Sequence, residues 1–228
     1  MLIATGDFMG VSKTSACRLV RKISAAIASL RPQYINMYRD NGEMEKAAED
    51  FYGISSFPRV IRSIDCTLIK IESPGGEDAE IFHSRKGFFA LTVQTVSDSN
   101  PKIKNLAARN LKREFEDNRY GRYILIGDSG YAIEPFIMTK LQHTRTAAEN
   151  LYNESIIRTR NVVERKLERR FLVLSLGMRL RLPTVMNIII AMAILHNIAV
   201  DMNDNFPEEW LEDDENVNEV EDNVNNRG

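Results

Sequence analysis

The chain has 228 residues, 43% of them hydrophobic and 27% charged, proportions that suit a globular protein with one sizeable domain. Its net charge of −2 hides an asymmetry: Asp201 to Gly228 holds 11 acidic residues and one Arg, which leaves residues 1–200 with 29 basic against 21 acidic residues. A basic body suits a polyanion such as nucleic acid, with the acidic tail as a competitor for the same surface. Cys17 and Cys66 make no CxxC, and His83, His143 and His196 have no zinc-type spacing, so a structural zinc site is not expected and a reducing compartment is.

The chain starts without a signal-peptide pattern and with too few residues before Gly10 for a complete first helix. Gly10 marks a turn and Ser12 is a good N-cap. Ala16, Leu19, Val20, Ile23, Ile27 and Leu30 then recur at helical spacing, with Lys13, Arg18, Arg21 and Lys22 outside the stripe. A turn followed by a basic amphipathic helix is the second half of a helix-turn-helix, and equally a plain packing helix. Asn36 to Tyr52 reads as helical with a turn at Asp40-Asn-Gly, and Gly53 to Pro58 reads as a linker.

From there the pattern turns to strands. Val60 to Ile71 is β-rich, Pro74-Gly-Gly is a turn, and Phe88 to Val96 is a second strand. Lys102 to Ala108 reads as a third strand and Leu111 to Asn118 as a short helix. Tyr123 to Gly127 is a short buried strand that runs into Asp128-Ser-Gly. Pro135 to Leu141 is expected to be a short helix or turn, and Thr146 to Phe171 a long helix. Val185 to Val200 is apolar but interrupted by Asn187, His196 and Asn197, which suits a buried helix rather than a membrane span. The tail after Asn203 has the composition of a disordered segment.

Three carboxylates stand out by position. Asp65 sits inside the first strand, where a charge is costly unless it is paired or binds a cation. Asp128 ends a later strand, although Asp-Ser-Gly taken alone is ordinary turn chemistry. Glu164 lies on the long helix. Adjacent strands and a helix laid across their ends would bring the three together, and such a cluster repels itself unless Mg²⁺ or Mn²⁺ occupies it. Two such ions cleave phosphodiesters by activating the attacking oxygen and stabilising the leaving one. Taken singly, Asp65 reads more readily as a salt-bridge partner of an Arg such as Arg62, and Glu164 as a surface residue; their joint order in the chain is what favours a site. No GxxxxGK[ST] loop and no GxSxG turn occurs, which sets aside the P-loop and serine-hydrolase classes.

Five stretches carry a resemblance. They are Phe57-Pro-Arg-Val-Ile-Arg-Ser-Ile-Asp65-Cys-Thr, His83-Ser-Arg-Lys-Gly-Phe, Ile126-Gly-Asp128-Ser-Gly-Tyr131, Arg158-Thr-Arg-Asn-Val-Val-Glu164-Arg and Ile194-Leu-His-Asn-Ile. In this order they resemble the PIF/Harbinger family of DDE transposases over residues 1–202. The resemblance implies an α/β, ribonuclease-H-like mixed sheet flanked by helices, with a short N-terminal helical region at 1–52, a nuclease domain at 53–202 and an acidic tail at 203–228. It implies a divalent-metal-dependent DNA endonuclease in which Asp65, Asp128 and Glu164 are the catalytic metal ligands. Arg85-Lys86-Gly87 matches a motif the family carries after its first strand, and Arg85 and Lys86 read as contacts to DNA phosphate or equally as a surface charge pair. The resemblance further implies a nuclear protein, with the cytoplasm as a second compartment, that works with a Myb-like DNA-binding protein and not at a membrane. The alternative is a transposase-derived module that has lost catalysis and binds DNA or the Myb-like partner. The sequence departs from the family pattern in four places. The N-terminal helical region is short, an insert is absent between Arg109 and Asn110, the stretch after Glu164 is compressed to Arg165-Lys-Leu-Glu-Arg, and Ile156 stands where a His is common.

Overall fold

The computed structural model describes residues 10–38, 40–106, 111–161, 167 and 170–204. The expected disordered tail lies outside the described residues from 205 onward.

Ser12 caps α1 (Lys13–Ala28), its Oγ accepting from the Ser15 amide at 3.2 Å. A short α2 (Arg31–Tyr34) follows, with a proline in its first turn. The Asp40-Asn-Gly stretch is a helix start rather than a turn within a helix. The Asp40 side chain accepts from the Glu43 amide at 2.9 Å and opens α3 (Asn41–Ser55), which runs into the expected linker.

Among the described residues the sheet consists of β1 (Val60–Lys70), β2 (Ala90–Ser97), β3 (Ile103–Leu106), β4 (Ile124–Gly127) and β5 (Ile137–Met138), in the order β3-β2-β1-β4-β5. The first three pair antiparallel, whereas β4 joins β1 in parallel and β5 joins β4 in parallel. Residues 135–141, expected as a helix or turn, therefore supply an edge strand. Two ladder residues are too few to print an alternation on the sequence. A short α4 (Leu111–Glu116) leads toward β4.

Beyond β5, α5 (Ala147–Asn161) holds the following chain in place. Tyr152 Oη donates to the Thr139 carbonyl at 3.0 Å, and Asn153 binds both backbone groups of Leu141, at 2.8 and 3.0 Å. Its Ile156 is buried with Phe51, Val60, Ile124 and Ile126. On another part of the sheet, Ile61, Ile64, Val96 and Leu125 pack with Met44 and Ala47 of α3 and Phe115 of α4. After α6 (Val173–Leu176), the chain forms α7 (Leu182–Asp201). By length and composition α7 is apolar enough to cross a membrane. Its Val185, Ile188, Ile189 and Ile194 are nevertheless core partners of Ile69, Ile71, Val93 and Ile103.

The polar interruptions of α7 have definite tasks. Asn197 is 2% exposed. It accepts from the Ile103 amide at 2.7 Å and donates to the carbonyls of Ile103 at 2.8 Å and Tyr34 at 3.0 Å. One side chain thus meets both backbone groups of an edge-strand residue and ties α2 to the sheet. The packing of α1 also differs from the expected stripe. It meets α7 along a narrow line that buries Ala16 and Ser24, while Leu19 and Ile23 remain 49% and 55% exposed.

Candidate active site

The parallel pairing of β1 with β4 sets Ser63 beside Ile126 and Ile64 beside Gly127. The next residue on each strand is an aspartate, Asp65 on β1 and Asp128 just past the end of β4. Neighbouring strands lie about 4.8 Å apart, so the register brings the two residues to adjacent backbone positions. Both residues are half-buried. Strand alternation puts Asp65 on the face of Ser63, whose neighbour Ile126 packs on Ile156 of α5. Arg62 projects to the other face, where its guanidinium lies 3.5 Å from the centre of the Tyr38 ring. The salt bridge of Asp65 with Arg62 considered from the sequence is therefore not what holds Asp65 in the strand.

Asp128 forms the turn expected of Asp-Ser-Gly. Its Oδ1 accepts from the Gly130 amide at 2.8 Å, and its carbonyl accepts from the Tyr131 amide at 3.1 Å. The turn closes on the carboxylate and fixes its rotamer at the carboxyl edge of the sheet. Gly127 occupies a crowded place. A Cβ there would lie 3.2 Å from the Tyr131 ring and 3.3 Å from methyls of both Ile137 and Ile64.

A group not foreseen from the sequence backs the two aspartates. The Tyr131 ring covers Gly127, and Gln94, which stands opposite Cys66 in the β1–β2 ladder, donates from Nε2 to Tyr131 Oη at 3.1 Å. Burial pushes the Cys66 thiol up from its ordinary value, and the charges of Asp128 and Asp65 push it further. Burial raises the Tyr131 hydroxyl as well, with the Cys66 sulfur and both carboxylates adding to it. Both aspartates thus act on the same two groups. Tyr131 lay within a quoted stretch, whereas Gln94 is marked only by its register opposite Cys66.

Glu164 lies outside the described residues; α5, as described, ends three positions earlier at Asn161. Among the described residues no three His, Cys, Asp or Glu side chains gather as metal ligands. The donors that are placed, one carboxylate inside β1 and one just past the end of β4, have the oxygen chemistry a hard divalent cation takes. Arg85 and Lys86 are exposed in a tight turn closed by Gly87 N to Ser84 O at 3.0 Å and Ser84 N to Phe88 O at 2.9 Å. Lys70 pairs with Ala90, so this turn stands at the far end of the β1–β2 ribbon. Asp65 lies five residues back along β1, about 17 Å at ~3.3 Å per residue. Of the four departures from the family pattern, Ile156 is a fully buried core residue. The junction of Arg109 with Asn110 and the stretch after Glu164 fall outside the described residues, except for Leu167.

A mixed sheet in the order β3-β2-β1-β4-β5, with helices around it and an aspartate on each of the two central parallel strands, is a ribonuclease-H-like α/β fold. The profile of the family described as DDE superfamily endonuclease matches residues 64–197, more than half of the chain, and the chain belongs to that family. The chain is also similar to proteins named "Putative nuclease HARBI1". It is 30% identical to the one from Mus musculus and 30% to the one from Homo sapiens, over 86% of the chain in each case. The Xenopus laevis protein is 28% identical. The chain spans 62% of the length of each of these relatives. No solved structure matches it.

Proposed function

We propose that the protein is a divalent-metal-dependent DNA endonuclease of the DDE transposase type that hydrolyses phosphodiester bonds by a two-metal mechanism. The observation that carries this reading is the register of Ile64 beside Gly127, which sets Asp65 next to Asp128 although they are 63 positions apart in sequence. Glu164 completes the ligand set from the chain that continues α5. Bound Mg²⁺ or Mn²⁺ supplies a Lewis acid for the phosphate oxygens and lowers the pKa of the attacking water.

The rest is the task of the chain itself. The turn from Asp128 to Tyr131 holds one carboxylate in a fixed rotamer, and the continuous β1 strand holds the other. Asp65, Asp128 and Glu164 keep the metal, while Arg85 and Lys86 on the projecting turn take DNA phosphates away from the reacting bond. The excess of basic residues in 1–200 favours DNA as the substrate. The same reading makes residues 53–202 the nuclease body, places the protein in the nucleus and gives it a Myb-like DNA-binding partner.

The experiment is cleavage of supercoiled plasmid by the purified chain in Mg²⁺ or Mn²⁺, beside Asp128→Asn. The reading expects cutting that chelation abolishes and that falls at least a hundredfold in the variant. Equal cutting by both proteins sinks it. Salt-sensitive DNA binding without cutting by either points instead to a binding module.

A further inference from the structure

At the end of the sheet away from the two aspartates, where β2 turns into β3, a polar cavity of about 610 Å³ opens. It lies between α3, that turn and the last turns of α7, and Arg62 lines it. Arg62 is 3% exposed. One guanidinium nitrogen, Nη1, donates to the Ile61 carbonyl at 3.1 Å, while the buried Nε has no hydrogen-bond partner. The face of the Tyr38 ring lies against the guanidinium at 3.5 Å. Burial keeps the Tyr38 hydroxyl protonated, so that ring supplies no counter-charge. Burial also pulls the Arg62 pKa down from its ordinary value. Among the described residues no carboxylate pairs directly with Arg62, and the charges of Asp98 and Glu43 offset its burial only in part; a buried cation is costly where no anion relieves it.

Four acids, Glu43, Asp50, Asp98 and Asp201, and three lysines, Lys46, Lys102 and Lys104, share the wall with Arg62, and two of the acids are paired. Asp98 pairs with Lys104 at 3.3 Å and accepts from the amides of Asn100 and Lys102, and Asp201 pairs with Lys102. We propose that this cavity is a binding site for a small oxyanion, a carboxylate or phosphate, whose oxygen accepts the Arg62 Nε–H. A DNA backbone is too bulky to reach a guanidinium at this depth, so the site is distinct from the substrate surface. Its occupancy is independent of the nuclease reading.

The test is thermal unfolding of the full chain without divalent metal, titrated with inorganic phosphate and separately with acetate, against chloride at equal ionic strength. The proposal expects a saturable rise in Tm of several degrees with at least one oxyanion, and its loss in Arg62→Met, which keeps the volume and removes the charge. If neither oxyanion raises Tm above the chloride control, or if Arg62→Met responds like the parent chain, the proposal is overturned. The titration of the parent chain decides the matter even where the variant fails to fold. The arm that responds distinguishes phosphate from carboxylate.

Discussion

Replacing Gly127 with Ala tests the crowding behind the aspartates. The added methyl meets three groups from three separate parts of the fold, Tyr131 at 3.2 Å and Ile137 and Ile64 at 3.3 Å each. Two of these are β-branched side chains with little freedom to move aside. Over-packing of this kind costs about 1–3 kcal/mol. The backbone angle at Gly127 is one that Ala adopts without strain, so the substitution also gains ~0.4–1 kcal/mol from the unfolded chain. The net loss is about 1–2 kcal/mol, which for a chain of this size lowers Tm by about 2–8 °C. Urea unfolding should show an earlier midpoint with an unchanged slope. A second variant, Tyr131→Ala, removes one of the three clashes. In the Gly127→Ala background it should therefore cost less than it does alone, a coupling that a double-mutant cycle measures. A Gly127→Ala protein as stable as its parent within ~0.5 kcal/mol would refute the reasoning.

Gly130→Ala should separate stability from function. A Cβ there lies 3.0 Å from Asp128 Oδ1, so the carboxylate must give way by a few tenths of an ångström from its place in the turn. Stability should change by less than about 1 kcal/mol while divalent-metal affinity falls about tenfold, read by calorimetry on the same sample. Asn197→Ala leaves a buried amide and two carbonyls without their side-chain partner, and should cost about 3–5 kcal/mol in urea unfolding. Burial raises the hydroxyls of Tyr38, Tyr120 and Tyr131 and the thiol of Cys66 above their ordinary values. As pH rises the unfolded chain gives up these protons first, so it binds fewer protons than the native state and stability declines. The loss begins near the unfolded thiol, about pH 8.5, and deepens near the unfolded tyrosines, about pH 10. Tm measured across this range should fall, and Tyr131→Phe should flatten part of the descent; a level profile contradicts the buried-hydroxyl account.

The strands that carry the site were legible because each has a strong local signature. β1 alternates after Asp65, and β4 is a short apolar run cut off by Gly127 and Asp128. Their adjacency is a property of parallel pairing across 63 positions, and no local pattern encodes that register; the order of elements allowed it, and the resemblance to a family of known order favoured it. Other features hid for physical reasons. β5 is two residues long and owes its place to β4 and to polar side chains of α5. Asp40 looked like a turn because a helix cap and a turn use the same side-chain acceptor. Leu19 and Ile23 read as core because periodicity marks a face and is silent on how much of that face a neighbour covers. Asn197 looked like an interruption in an apolar helix, whereas its amide satisfies the backbone of an edge strand.

The central claim is that Asp65 and Asp128 act together as ligands of one divalent-metal site. Calorimetric titration of the full chain with Mn²⁺ tests it most directly. The account predicts saturable binding by the parent chain, weakened at least tenfold by Asp65→Asn and by Asp128→Asn alike. Absence of binding in the parent chain, or unchanged affinity in either variant, would contradict it.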